Sequence, residues 1–228
     1  MPPQSDFNHA LMMTSTKALK RRSHVPAILC AAALLLAACS PTGAAIGAGA
    51  TAGVAASEER GIKGAVTDTA IRIEINDLWL NAGLELYNAV SLQIYEGRVL
   101  LAGRVPAQKM ADEATRLAWQ PDDVREVINE IQIKSDAGIE AFARDALINA
   151  RLDSALLFTE GISSINYSTR AIAGTVYLLG VAQSQAELDR VFQVARNIPD
   201  VKGVVSHVLL VDDPRRLQRP SVKPDSSS

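Results

Sequence analysis

The sequence is poor in the residues from which most catalytic and metal sites are built. Histidine occurs three times and cysteine twice in 228 residues, and aromatic residues make up 4% of the chain. After residue 38, His207 is the one histidine, and no Gly-x-Ser-x-Gly motif accompanies it. A lone imidazole without a thiol or a nucleophile motif favours neither a zinc site nor a catalytic triad. We therefore predict a protein that is not an enzyme and that uses no metal and no cofactor.

Excess positive charge is also lacking. The net charge is −2, and the first 38 residues carry four basic residues against one acidic residue. Removing that +3 leaves about −5 on the remainder, whereas nucleic-acid-binding proteins normally show a basic surface. The cysteines, Cys30 and Cys39, do not predict a disulfide, because Cys30 falls in a segment that we expect to be removed. We predict no nucleic-acid partner and a fold stabilised by aliphatic burial.

The N-terminal region has the pattern of an export signal. A basic stretch at residues 17–22 precedes an apolar run at residues 25–38 that ends in small residues. The run is shorter than the roughly 20 residues of a membrane-spanning helix, which favours a signal peptide. The Leu-Ala-Ala-Cys that ends at Cys39 resembles the lipobox of bacterial lipoproteins. That resemblance implies that residues 1–38 are a signal peptide and that Cys39 receives the acyl chains. Cleavage of a non-lipidated signal at another small residue is the alternative.

Low-complexity segments border the central part of the chain. Residues 43–56 are rich in glycine and alanine, with a small-x-x-x-small pattern that can bring membrane helices together. Their glycine content disfavours a helix, so we interpret residues 39–62 mainly as a small-residue linker. Residues 212–228 contain three prolines and end in three serines, which predicts a disordered tail.

An internal repeat organises the rest of the chain. Gly-Arg-Val-Leu-Leu-Ala-Gly from Gly97 matches Gly-Thr-Val-Tyr-Leu-Leu-Gly from Gly174, an offset of 77 residues. At this offset Asp68 matches Asp145, and residues 97–134 align with 174–211 without a gap. A register held over this length indicates two copies of one module. We place them at residues 63–134 and 139–211.

Each copy predicts the element order α-β-β-α-β. Helical spacing of apolar residues gives the first helix, and in the second copy it predicts a core face formed by Ile148, Leu152 and Ala155. Alternation around the glycine turn gives a β-hairpin, and Ser184 with Glu187 reads as a capping box that starts the second helix. The first helix is predicted at 66–80 and 142–156, and the hairpin strands at 89–95 and 165–171 and at 98–102 and 175–179. The second helix is predicted at 107–118 and 185–196, and the last strand at 124–133 and 201–211.

These elements predict an α+β fold. The helical crossover makes the last strand parallel to one hairpin strand, giving a three-stranded mixed sheet with both helices on one face. A core of about 70 residues contributes only a few kcal/mol. We therefore expect the two modules to pack against each other.

The Gly-x-Val-x-Leu-x-Gly strand, the following helix and the Asp-Val-x-x-Val before the last strand resemble the BON domain. Two such modules behind a lipobox are similar to the dual-BON outer-membrane lipoproteins of Gram-negative bacteria. The resemblance implies a lipid-anchored protein on the periplasmic face of the outer membrane. It implies binding to anionic phospholipid, maintenance of outer-membrane integrity, and links to outer-membrane assembly and division proteins. Ser40, after the cysteine, resembles the outer-membrane sorting signal.

The resemblance also implies where lipid binds. In this family the contact lies on the first helix of the second module, around a tryptophan whose position Phe142 occupies here. We predict lipid binding by Phe142, Leu147 and Arg151. Projected on a helix, Phe142 and Leu147 flank the core face on opposite sides, and Phe142 at the rim of the core is the alternative. The rival function is an envelope scaffold that binds other proteins through exposed sheet edges.

Overall fold

The computed structural model describes residues 58–134 and 138–216. The predicted signal peptide, Cys39, most of the linker and most of the tail lie outside the described residues. Both modules belong to one compact unit.

The two modules repeat the same elements. The first consists of α1 (Gly61–Ala82), α2 (Leu84–Ala89), β1 (Val90–Tyr95), β2 (Arg98–Val105), α3 (Gln108–Ala118) and β3 (Glu126–Ile133). The second consists of α4 (Gly138–Phe158), β4 (Tyr167–Ile172), β5 (Thr175–Ala182), α5 (Gln185–Asn197) and β6 (Gly203–Leu210), with short 3₁₀ turns at Ser164–Asn166 and Pro214–Arg216. The first helix of each module extends beyond its predicted range at both ends. The short helix α2 was not predicted.

The sheets have the predicted mixed topology. In the first sheet β2 lies between β1, which is antiparallel to it, and β3, which is parallel. The second sheet has the order β4-β5-β6 with the same directions. Val99 pairs with Ile94 and Val127, and the second sheet repeats this register at the 77-residue offset. The α+β class and the α-β-β-α-β module are therefore confirmed.

Both helices of each module pack on one face of its sheet. The first core joins Ile71, Ile75 and Trp79 of α1 to Leu101 of β2 and Ala114 of α3, all almost fully buried. The same layers meet in the second module, where the buried residues are Ile148, Leu152, Leu156, Val176, Leu178, Val191 and Ala195. The predicted core face of α4 needs one correction. Ala155 is only half-buried and Leu156 is 2% exposed, since the face turns toward the later residue near the end of the helix.

The opposite faces of the two sheets pack on each other. Because side chains alternate along a strand, the residues between the core positions of β2 and β5 point away from their helices. These residues form a third buried cluster with both modules in it: Tyr95, Leu100, Ala102, Tyr177, Leu179 and Val181. The result is four layers, with the sheets inside and the helices outside.

Glycine at the second bracket of the motif allows close strand approach. Gly103 lies opposite Val90, and a Cβ there would stand 2.3 Å from the carbonyl oxygen of Ala89. Gly180 lies opposite Tyr167, where a Cβ would stand 2.0 Å from the Asn166 carbonyl oxygen. No side chain fits at either distance, which explains why the repeat keeps glycine there.

An aspartate from the first helix closes each hairpin turn. Both turn residues have positive φ, 53° and 71° in the first module and 51° and 86° in the second, as in a type I′ turn. The Asp68 carboxylate accepts the N–H groups of Glu96 and Gly97 at 2.9 and 2.8 Å. Asp145 accepts the two equivalent N–H groups at 2.6 and 2.8 Å. The matched residues Asp68 and Asp145 thus stabilise the hairpin turn of their own module.

Candidate lipid-facing surface

The outer surface of α4 is largely apolar. The helix has 21 residues, about 30 Å at 1.5 Å per residue. Its buried face, with Ile148 and Leu152, covers the sheet. On the opposite side lies a row that we call the apolar stripe, formed by Ile139, Ala143, Ala146, Ala150 and Leu157, all exposed. Ile139 is 87% exposed and Leu157 is 62% exposed. A helix with apolar residues on both sides has its second apolar surface free for a partner or a membrane.

The predicted residues Phe142 and Leu147 lie on either side of the apolar stripe. At 100° per residue they are about 140° apart around the helix. Phe142 is 77% exposed and Leu147 is 46% exposed. Phe142 therefore does not occupy the rim of the core, which was the alternative interpretation. Phe158, at the end of α4, is 82% exposed and lies on the same flank of the stripe as Leu147.

Arg151 lies on the same helix but apart from Phe142. Nine residues separate them, about 13 Å along the helix axis. The Arg151 guanidinium is 3.9 Å from a carboxylate oxygen of Asp200, and both side chains are largely exposed, so this ion pair is weak. Arg144, also exposed, lies on the same side of the stripe as Arg151. The structure thus places the three predicted residues on one helix but not on one face, with Phe142 on one flank of the apolar stripe and Leu147 and Arg151 on the other.

Polar residues on one edge of α4 fix the direction of the stripe. Besides Asp145 at the turn, Asn149 accepts the N–H of Ala171 through Oδ1 at 2.8 Å. One turn later, Asp153 accepts the Thr169 hydroxyl at 2.6 Å. The spacing of four residues between these side chains attaches successive turns of the helix to strand β4. The sequence analysis missed this row, although the i, i+4, i+8 spacing was visible.

The second predicted helix start is confirmed with one difference. The Ser184 hydroxyl accepts the N–H of Glu187, as a capping box requires. The Glu187 carboxylate reaches back one residue further than expected and accepts the N–H of Gln183 at 2.7 Å. Its other oxygen accepts the N–H of Ser163 at 2.7 Å, which explains its burial at 3% exposure.

His207 has a structural position between the modules. Its Nε2 is 2.9 Å from a carboxylate oxygen of Glu130, and its carbonyl oxygen accepts from the Arg98 guanidinium at 2.7 Å. Gln132 donates to the hydroxyl of Tyr177 at 3.1 Å across the same boundary. These bonds hold the two sheets in one relative position.

Within residues 58–134 and 138–216, no helix combines the length and the apolarity that crossing a bilayer requires. In the same residues, no group of three or more histidine, cysteine, aspartate or glutamate side chains is arranged to hold a metal ion.

Comparison with known proteins places the repeat in a family. The model of the BON domain matches twice, at residues 67–135 and 144–212. The chain belongs to the BON-domain family. The two matches fall on the two modules of the structure, with the first helix of each largely included.

Three curated proteins are similar to this BON-domain chain. An uncharacterized protein of Anaplasma centrale is 38% identical over 146 residues, covering 64% of this chain and 95% of the relative. Outer membrane lipoprotein DolP of Haemophilus influenzae is 30% identical over 181 residues, covering 78% of this chain and 92% of the relative. A 21 kDa hemolysin of Actinobacillus pleuropneumoniae is 29% identical over 116 residues, covering 51% and 59%.

Proposed function

We propose that this protein is held on the periplasmic face of the outer membrane by acyl chains on Cys39 and binds anionic phospholipid through α4, thereby supporting the membrane barrier. It acts without catalysis. The acyl chains would anchor the chain to the membrane, and α4 would add a contact with anionic headgroups. The similarity to a protein named as an outer membrane lipoprotein supports the location.

The apolar stripe of α4, with the exposed rings of Phe142 and Phe158, is the observation on which this proposal rests. An exposed ring enters the interface between headgroups and acyl chains, and arginines beside it attract anionic headgroups. Arg144 and Arg151 lie on the flank of the stripe opposite Phe142 and on the same flank as Phe158, so cations and rings border the stripe on both sides. Because the polar edge residues attach α4 along β4, the stripe is presented without rearrangement of the fold.

Vesicle flotation tests the proposal directly. A chain covering residues 40–228 lacks the acylated cysteine but keeps every described residue, so that binding reports the modules alone. With vesicles of phosphatidylglycerol and phosphatidylcholine, we expect binding that rises with the phosphatidylglycerol fraction. Ile139→Ala with Phe142→Ala removes about 9 side-chain carbons at roughly 0.8 kcal/mol for each buried one, and we expect at least tenfold weaker binding even with partial insertion.

The control removes exposed aliphatic surface from the equivalent helix of the first module. Val66→Ala with Ile73→Ala lies on α1, where both side chains are about two-thirds exposed, at 64% and 66%. We expect vesicle binding of this variant to equal that of the parent. Equal loss in both variants, or no loss in either, would remove α4 as the specific lipid contact.

Scaffolding is a second candidate function, and the first module carries the observation that favours it. Ile62, Val66, Ile73 and Leu80 form an exposed apolar row on α1, between 44% and 66% exposed. Because the helices form the two outer layers, this row faces away from a membrane that contacts α4. A photo-crosslinker at Ile73 in cells separates the functions from one at its repeat partner Ala150. We expect lipid adducts at Ala150, whereas a dominant protein adduct at both positions would favour scaffolding.

A further inference from the structure

A groove of about 810 Å³ opens where the two sheets cease to touch. One wall comes from the first module, at the start of β1 and the end of β2, and the other from the second module, at the hairpin end of β4 and the first half of α4. Its lining includes Ser91, Arg104, Phe142, Asn149, Arg170 and Ile172. The groove thus begins beside the exposed ring of Phe142 and runs inward between the modules.

Two arginines line this groove without protein partners. In residues 58–134 and 138–216, Arg104 and Arg170 form no ion pair, and Arg104 Nε and Ser91 Oγ are buried atoms without a hydrogen bond. Ser91 and Arg104 are neighbours on the same face of β1 and β2, because Ser91 pairs with Ala102. Buried donors normally have acceptors, so this wall presents donors that suit an anion.

The charged residues of the groove lining are the two arginines and two carboxylates. Arg72 lies outside this lining and donates to the carbonyl oxygen of Leu92 on β1. Two acidic residues, Glu85 and Asp145, also line the groove. Glu85 is exposed, and both oxygens of Asp145 accept hydrogen bonds from the hairpin turn.

The repeat provides an internal comparison for this groove. At the other end of the sheet interface, the equivalent positions come from the opposite modules. The repeat partners of Arg104 and Arg170 there are Val181 and Gln93. Residues 58–60 occupy that end, with the Arg60 guanidinium 5.0 Å from the ring centre of Tyr95. The paired arginines are therefore a feature of the Phe142 end and not a requirement of the shared fold.

We propose that this groove binds the phosphate of an anionic lipid headgroup, with Arg104 and Arg170 as the donors and Phe142 beside the glycerol and acyl region. Charged donors form strong hydrogen bonds with phosphate oxygens, and guanidinium groups suit them in geometry. This inference rests on the proposed function and deepens it, because it adds a headgroup site built from both modules to the helix surface.

The first test uses the chain of residues 40–228 and a short-chain phosphatidylglycerol below its micelle concentration. We expect it to shift the amide NMR signals of Ser91, Arg104 and Ala171, with inorganic phosphate at equal ionic strength causing much smaller shifts. Equal shifts with inorganic phosphate would show a site for free phosphate and overturn the lipid assignment. Absence of shifts at these residues would overturn the site.

The second test measures affinity for the same lipid and for vesicles. Arg104→Gln with Arg170→Gln should weaken binding of the short-chain lipid about tenfold or more, as expected for the loss of charge-assisted hydrogen bonds. Arg116→Gln with Arg196→Gln removes the same charge from exposed helix positions and should leave affinity unchanged. An equal loss of affinity in both double variants would show that net charge alone determines binding, and would overturn the proposal.

The outcomes for the groove and for the proposed function are distinguishable. Vesicle binding that depends on Ile139 and Phe142 but not on Arg104 and Arg170 would overturn the groove and keep the function. Binding of the short-chain lipid that depends on the two arginines, without any vesicle binding, would keep the groove and overturn the function. Unchanged unfolding midpoints for the arginine variants would show that a loss of affinity is not a loss of fold.

Discussion

The first helices of the two modules expose the same repeat positions, but the side chains on their exposed surfaces differ. Ile62, Val66, Ile73 and Leu80 of α1 match Ile139, Ala143, Ala150 and Leu157 of α4 at the 77-residue offset, and all eight are exposed. The aromatic rings are found on one side of this comparison. Phe142 and Phe158 of α4 stand where α1 has Ala65 and Asn81.

At the buried positions of the two helices, the aromatic ring belongs to α1 instead. Trp79 of α1 is 1% exposed and donates from Nε1 to the carbonyl oxygen of Ala114 at 3.2 Å. Its repeat partner on α4 is Leu156. The first helix of the first module thus has its large ring in the core, whereas the first helix of the second module has its rings at the surface. The two first helices therefore share a backbone position in the fold, and exposed aromatic residues distinguish α4, the helix that we assign to lipid.

The largest expected effect comes from the unequal cores. Trp79→Ala should lower the free energy of unfolding by about 4 kcal/mol, because it leaves a large cavity in the core and removes a buried hydrogen bond. Leu156→Ala should cost about 3 kcal/mol at the equivalent position. Urea unfolding followed by circular dichroism measures both. A larger loss for Leu156→Ala would contradict the ranking of the cores.

The turn aspartates should differ by less. Asp68 is 3% exposed and accepts from Arg60 at 2.7 Å as well as from the two turn amides. Asp145 accepts from the turn amides and is only half-buried. We expect Asp68→Ala to cost about 3 kcal/mol and Asp145→Ala about 2 kcal/mol, since the first change also removes one of the two carboxylates that pair with the Arg60 guanidinium.

The same urea measurement checks this prediction, and the Arg60→Gln background sharpens it. In that background the extra cost of Asp68→Ala should fall to the value for Asp145→Ala. A cost that stays unchanged would show that Arg60 does not contribute to the difference between the two turns.

The smallest expected effects concern the contact between the modules. Tyr177→Phe removes the hydrogen bond from Gln132 and should cost about 1 kcal/mol. Tyr95→Phe removes a longer bond, 3.3 Å, to Asn166, and should cost a few tenths of a kcal/mol. Unfolding midpoints compare the two variants, and a larger loss for Tyr95→Phe would show that the Asn166 end holds the modules more firmly.

The repeat explains how much of the fold was predictable. A gap-free offset of 77 residues carried the element order, the mixed sheets and the helix faces from one module to the other. The short helix α2 was missed because Gly83, at φ 143°, interrupts the helical pattern between Ala82 and Leu84. The error at Ala155 arose because one-residue differences in helix rotation are not visible in apolar spacing.

The candidate site was only partly predictable. Phe142, Leu147 and Arg151 were named from a family resemblance, and their exposure follows from the position of the core face of α4. The groove with Arg104 and Arg170 was not predictable, because its two walls lie in different modules. Their meeting depends on how the two sheets pack, and local sequence patterns do not contain that information.

Fluorescence quenching by brominated phosphatidylglycerol tests the central claim most directly. Phe142→Trp on α4 and Val66→Trp on α1 each place a reporter on a first helix, and Trp79 and Trp119 give both variants the same background. The account predicts a blue shift and strong quenching for Phe142→Trp and no change for Val66→Trp when vesicles are added. Equal quenching of the two reporters, or quenching of Val66→Trp alone, would contradict it.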